Sequence, residues 1–297
     1  MNNRNVKSQF FHGVSYFAAF TTVAILLFIL GRIALEGLPA LSLEFILTSE
    51  SDFKGFGGAI GNAIIGTLIL SIGSTLLAAP FAIGTAVYLQ KYANEGRIVR
   101  AFRFFIDVLA GTPSIVLGIF GLLFLVFYLR TVTGGFSMIS GIIALAILIL
   151  PVIERAAEEA INTVPSELED AAYALGATKW EMIRDITLPY ALAGIMTGVV
   201  LSIGRAAEES AVVILTAGYS QFFPEFKVAA SEKLIFGMKI YPFQDLIAAL
   251  PITVYHGFEF PHLVSPSESF AAAFVLIVIV MLINAITRLI VWKRRIG

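Results

Sequence analysis

The seven residues Gly204-Arg205-Ala206-Ala207-Glu208-Glu209-Ser210 place one guanidinium and two carboxylates inside an apolar stretch running from about Tyr190 to Gly218. An ionised side chain at mid-bilayer costs roughly 2.5–3.5 kcal/mol on insertion scales, so these three must face a polar interior and pair. On a helix Arg205 stands i,i+3 to Glu208 and i,i+4 to Glu209, and either pair can form. One reading is a structural ion pair between packed helices; the other is a polar constriction on a path across the membrane. Arg155 lies just beyond the apolar run that ends Pro151-Val152-Ile153. It could snorkel to the interface. If the two runs pack together, Arg155 and Arg205 line one cavity, and their planar, permanent charges suit the oxygens of an oxyanion. Glu209 could pin Arg205, or accept a hydrogen bond from a protonated oxyanion such as hydrogen phosphate. An oxyanion without a proton cannot make that bond, so the arrangement favours phosphate over sulfate.

Other chemistry is narrowed by what the chain lacks. It contains no cysteine, which excludes disulfides, thiolate catalysis, iron–sulfur clusters and cysteine zinc sites. Its three histidines (His12, His256 and His262) are too scattered for a histidine metal site. No G-x-x-x-x-G-K-[ST] segment is present, so ATP-driven work would need a nucleotide-binding partner. No cofactor is expected. A net charge of −1 gives no general argument for nucleic acid.

The stretch Ser166–Pro189 reads as an amphipathic hairpin between long apolar runs. Ser166 with Glu169, and Thr178 with Glu181, have capping-box spacing. Gly176 falls where a helix end needs a left-handed residue. Two short helices are expected, one over about Glu167–Leu175 and one starting near Lys179. Leu168, Ala171, Ala172 and Leu175 form one small-residue apolar stripe, with Glu167, Glu169 and Asp170 off it. Such a helix offers a knob to a soluble partner. The alternative, a helix lying flat on lipid, usually carries Lys or Arg on its polar face, and this one carries acids.

The elements that must position these groups are membrane spans. The 297 residues are 58% hydrophobic and 14% charged, with mean hydropathy +0.88, the composition of a polytopic membrane protein. Six runs can cross a bilayer: about Val14–Leu35, Ala59–Leu89, Phe104–Leu129, Met138–Ile153, Tyr190–Gly218 and Phe270–Val291. The first is long enough to span and is expected to stay as a transmembrane helix. The fourth is short and is expected to continue as helix through Glu154–Ile161. Leu109–Ser114 interrupts the third with Gly and Pro, as a kink or as a break needing polar neighbours. Gly66, Gly73 and Gly84 would let helices approach closely. Arg4, Lys7, Lys91, Arg97, Arg100, Arg103, Lys179, Arg184 and Lys293–Arg295 crowd one side. That asymmetry puts both termini and the hairpin in the cytoplasm. Residues 1–13 and 292–297 are then cytoplasmic ends, and 36–58 and 219–269 extracytoplasmic loops. Within the second loop, Phe226–Gly237 and Asp245–Val254 could be helices. They would plug a pore mouth, receive a partner or simply cover the fold.

Asp170-Ala171-Ala172, three residues, Gly176, nine residues, then Ile186-x-Leu188-Pro189 resembles the E-A-A-x3-G-x9-I-x-L-P coupling motif of ABC importer permeases, with Asp170 in place of Glu. Leu109–Gly118, Pro151–Pro165 and Gly204–Ser210 are similar to segments of the phosphate permeases. Leu215-Thr216-Ala217 and Ala249–Tyr255 look more like the PstA-type than the PstC-type branch. The resemblance runs from about Gly55 onward. It implies an all-α inner-membrane permease with six transmembrane helices, the type I ABC importer permease fold and N- and C-termini cytoplasmic. It implies phosphate uptake by alternating access, and no bond chemistry in this chain. The implied partners are a PstC-like second permease, two copies of an ATPase, an extracytoplasmic phosphate-binding protein and membrane lipid. Asp170, Ala171, Ala172, Leu175, Gly176, Ile186, Leu188 and Pro189 would couple to the ATPase; Arg155, Arg205 and Glu209 would line the anion path. Glu208 stands where the family has Gly, adding negative charge there. Permeases for molybdate, tungstate and sulfate share a similar motif but usually continue with Phe-Gly, where this chain has Ser210-Ala211. A rival of another class is an ion-coupled secondary transporter using Arg205 and Glu209 as a proton relay; another is a structural membrane subunit with no path.

Overall fold

The computed structural model describes residues 3–53, 57–94, 96–231, 234 and 238–295. Among the described residues, five helices are long and apolar enough to cross a membrane: Phe11–Ala40, Gly61–Tyr92, Met138–Asn162, Lys179–Glu208 and Pro266–Ile286. A sixth crossing is present if the bent pair Arg97–Gly111 and Ser114–Tyr128 makes one span.

Helix α1 (Asn3–Gly37) is peripheral and packs on α11 (Pro266–Arg295). Its apolar side chains, including Phe17, Phe20 and Phe28, face outward, as a lipid-facing span requires. The centre is α2 (Gly61–Val87, extended by a π-helical turn Tyr88–Tyr92), α5 (Met138–Asn162) and α8 (Leu188–Glu208). Leu70, Leu145, Ile149 and Ile153 are fully buried between them. Ser137 caps α5, its hydroxyl accepting from the Ser140 N–H.

Lipid is as apolar as leucine, so close packing rather than the hydrophobic effect holds such helices together. The α5–α8 seam is accordingly built of small residues. A Cβ on Gly198 would come 2.3 Å from Ala156 Cβ, and one on Gly194 would come 2.6 Å from Ala160 Cβ. A Cβ on Gly66 would meet the Ala248 carbonyl at 2.0 Å, and one on Gly73 would meet Ile142 at 2.9 Å. Gly84 departs from the expectation of close approach, since nothing lies within 4 Å of its Cβ position.

The third apolar run is sharply bent. Helix α3 (Arg97–Gly111) meets α4 (Ser114–Gly121, continued as π-helix to Tyr128) at 101°. Thr112 and Pro113 are both extended there, because Pro disfavours helix in the residue before it and has no N–H to give. The turned-away α3 is amphipathic, with Arg97, Arg100 and Arg103 set among exposed Ile98, Phe102 and Phe105.

The fifth run also breaks. Helix α8 ends at Glu208, and a short α9 (Ala211–Thr216) follows. The expected helix over Phe226–Gly237 is instead strand β1 (Lys227–Ala230), which pairs antiparallel with β2 (Met238–Tyr241); residues 232, 233 and 235–237 lie outside the described residues. The helix expected over Asp245–Val254 starts later, as α10 (Leu250–Glu259) with Pro251 in its first turn. The first long loop folds as short helical turns at Leu38–Ala40, Leu43–Leu47 and Glu50–Phe53.

The two loops meet at the end of the molecule opposite the hairpin. Buried Glu50 accepts from the Tyr219 hydroxyl, which also lies 3.3 Å from Thr253 Oγ1. Asn62 Nδ2 donates to the Ser220 carbonyl at 2.8 Å. Burial pushes the Glu50 carboxyl above its ordinary pKa, against the opposing Tyr219 hydrogen bond, and burial beside Glu50 pushes the Tyr219 phenol up as well.

Candidate functional site

A cavity of about 500 Å³ opens between α3, α5, α8 and α11, and Arg155, Arg205, Glu208, Thr112 and Asn284 are its polar lining. Arg155 and Arg205 therefore share one space. They project from neighbouring helices, Arg155 one turn beyond Pro151 on α5 and Arg205 in the last turn of α8.

The two arginines are held differently. Arg155 Nη2 lies 2.5 Å from Asp107 Oδ1 on α3. Arg205 forms no ion pair among the described residues. Neither the Arg205–Glu208 nor the Arg205–Glu209 pair is formed among the described residues; α8 ends at Glu208, which takes Glu209 out of helical register. Glu209 instead closes the start of α9: its Oε1 accepts from the N–H groups of Ala211 and Val212 at 3.1 and 3.4 Å. It is Glu208, not Glu209, that lines the cavity.

Asp107 did not stand out in the sequence; Arg103 counted only towards the charge asymmetry and Glu158 only within the Pro151–Pro165 resemblance. Arg103 Nη2 lies 2.8 Å from Glu158 Oε1, which also accepts from Gln90 Nε2 at 3.0 Å. Arg103 and Asp107 are i,i+4 on α3, and Arg155 and Glu158 are i,i+3 on α5, so the helices face each other with matched charges. That spacing was visible; the turn that brings α3 against α5 was not.

The hairpin forms as α6 (Ser166–Ala174) and α7 (Lys179–Met182). The Thr178–Glu181 capping box is present, and Gly176 turns the chain with φ +84°. The Ser166–Glu169 box is absent: Pro165 takes the N-cap position, and Glu169 Oε1 turns to Lys91 Nζ at 2.5 Å and the Thr187 hydroxyl at 2.8 Å. Of the apolar stripe only Ala172 is buried, in a small cluster with Met182 and Ile183; Ile186 and Leu188 pack against that cluster. Leu168, Ala171, Asp170 and Leu175 are exposed, Leu175 at 90%, and Pro189 and Gly176 are exposed with them. Among the described residues, nothing covers this knob.

Residues 78–295 match the family described as "Binding-protein-dependent transport system inner membrane component". The chain belongs to that family. Among curated relatives, the "Phosphate transport system permease protein PstA 1" of Mycobacterium tuberculosis (strain CDC 1551 / Oshkosh) is 37% identical over 245 residues, 81% of this chain and 74% of that one. The "Phosphate transport system permease protein PstA" of Pasteurella multocida (strain Pm70) is 32% identical over 286 residues, 96% of this chain and 95% of that one. The "Probable ABC transporter permease protein YqgI" of Bacillus subtilis (strain 168) is 34% identical over 217 residues, 73% of this chain and 72% of that one. Among solved structures, the MetNI methionine ABC transporter in an inward-facing conformation superposes with TM-score 0.60 at 18% identity, over 79% of this chain and 95% of that one. The fold is that of a type I ABC importer permease, mainly helical with one β-hairpin. As a member of this family the chain is a multi-pass membrane permease subunit, and its ATPase and substrate-binding protein are separate partners.

Proposed function

We propose that this permease forms half of the membrane path of an ATP-driven phosphate importer and works by alternating access. Two arginines facing one cavity carry the reading, one of them with no carboxylate partner among the described residues. Guanidinium groups so placed recognise a tetrahedral oxyanion through paired N–H donors. The similarity to relatives named as phosphate transport permeases supports phosphate over other oxyanions. Arg155 and Arg205 supply transient positive charge, and a path must hold its ion weakly enough to release it. Glu208, on the cavity wall, would accept a hydrogen bond from the O–H of hydrogen phosphate; Glu209 shapes the break after α8.

The assembly we propose pairs this chain with a PstC-like permease, two ATPase copies and an extracytoplasmic phosphate-binding protein. Both termini and the 166–189 hairpin are cytoplasmic, and 36–58 and 219–269 face outward. Asp170, Ala171, Ala172, Leu175, Gly176, Ile186, Leu188 and Pro189 form or brace the ATPase-docking knob.

The test is uptake of radiolabelled phosphate by the reconstituted complex. ATP-dependent uptake that sulfate and molybdate do not displace, lost in Arg205→Gln, is the expected result. Uptake driven by a proton gradient without ATP would instead assign a secondary transporter. Unimpaired uptake after neutralising both arginines would leave the chain a structural subunit.

A further inference from the structure

We propose that Glu169 is a positioning residue that locks the docking hairpin to the end of α2, so that movement of the ATPase reaches the arginine-bearing helix α5 as a rigid displacement. This rests on reading the hairpin as the ATPase-docking site, and it adds a residue outside the coupling motif.

One carboxylate oxygen joins three elements. Glu169 Oε1 on α6 accepts from Lys91 Nζ in the π-helical turn that ends α2, and from the Thr187 hydroxyl in the turn leading into α8. The Lys91 and Glu169 side chains are only 16% and 14% exposed, and Thr187 is fully buried. A pair this shielded is not screened as an exposed one is, and removing one partner strands the other's charge. Two further contacts brace the joint. Lys179 Nζ lies 4.9 Å from the centre of the Tyr92 ring, and Val87 packs against the Ala172–Met182–Ile183 cluster.

The next residue back along α2 carries the connection onward. Gln90 donates to Glu158 on α5, and Glu158 also holds Arg103. Arg155 sits one helical turn before Glu158. Lys91 and Gln90, adjacent in sequence, thus tie the hairpin on one side and the cavity helix on the other. Spatial continuity alone does not establish transmission; a measured coupling does.

The chain's lack of cysteine permits site-specific labels without background. Spin labels at Glu167→Cys on α6 and Tyr88→Cys at the end of α2, both exposed positions, report the hairpin-to-α2 distance in the full complex. In the otherwise unaltered protein we expect one narrow distance, the same without nucleotide and with trapped ATP. In Glu169→Gln or Lys91→Met the distribution broadens, and phosphate uptake per ATP hydrolysed falls roughly 2- to 30-fold, the span of single-residue coupling contributions. The swap Lys91→Glu with Glu169→Lys restores both. An unchanged distance distribution with unchanged uptake per ATP in Glu169→Gln overturns the proposal. So does loss of the ATPase from that variant's complex, which would make Glu169 a docking residue. The docking reading is tested separately: Leu175→Glu that keeps its ATPase sinks it, while the nucleotide-free distance still reports on the Glu169 lock.

Discussion

Arg155 is tied to Asp107 at 2.5 Å, whereas Arg205 on the wall of the same cavity is tied to no carboxylate among the described residues. The Arg155–Asp107 side chains are 54% and 64% exposed, and exposed ion pairs are worth about 0–1 kcal/mol. On the proposed reading, an arriving anion would meet Arg205 as an open site and displace Asp107 from Arg155 at small cost. We predict that Arg205→Gln abolishes uptake. Asp107→Asn should instead lower the KM for phosphate several-fold, read from initial uptake rates. An Asp107→Asn variant with raised KM would contradict the exchange.

Glu208 and Glu209 should separate by readout. Glu208→Gln removes a charge from the cavity wall, so sulfate should compete more effectively with phosphate uptake. Glu209→Gln weakens the acceptor that closes the start of α9, a capping loss on the scale of about 0.5–2 kcal/mol. It should lower thermal stability and leave the sulfate-to-phosphate ratio as it is. A selectivity change in Glu209→Gln alone would reverse these roles.

Leu175 is the most exposed residue of the hairpin's apolar stripe. Surface substitutions away from special features usually alter stability by no more than about 0.5 kcal/mol. Leu175→Glu should therefore leave the melting temperature of the isolated permease in place and strip the ATPase during affinity purification.

Glu50 should make the outer loops pH-sensitive. Its folded-state pKa is raised by burial, so the folded form binds its proton more tightly than the unfolded form does. The stabilising contribution is complete below the unfolded value and is lost as pH rises through the folded one. Glu50→Gln, which keeps an acceptor for Tyr219 without a charge, should flatten that dependence. Thermal denaturation across acid to neutral pH measures it, and equal slopes for the two proteins would refute the assignment.

Two glycines of α2 should respond oppositely to a methyl group. Gly66→Ala drives its Cβ into the Ala248 carbonyl, and overpacking of this kind costs typically 1–3 kcal/mol, about the same here. Gly84→Ala meets nothing and should gain roughly 0.5–1 kcal/mol from helix propensity. Thermal stability of the two variants in detergent would rank them.

Long apolar helices, the hairpin with its Gly176 turn and Thr178 cap, and the cavity shared by Arg155 and Arg205 were legible in the sequence. Each is written locally, by periodicity, capping chemistry or the cost of charge in lipid. The breaks were harder. Pro113 announced an interruption but not a 101° turn, and nothing local announced that α8 would stop at Glu208. The Ser166–Glu169 spacing satisfied a capping rule, yet a largely shielded lysine 78 positions away offered Glu169 a better partner. Strand β1 falls in the stretch Phe226–Gly237, which also admits a helix because its apolar residues suit either period over so few positions.

The glycine–alanine seam between α5 and α8 has one more consequence. With Gly194 and Gly198 against Ala160 and Ala156, these two helices have no slack in which to slide. On the proposed reading, Arg155 and Arg205 are then two jaws of one caliper, carried together by any displacement that reaches α5.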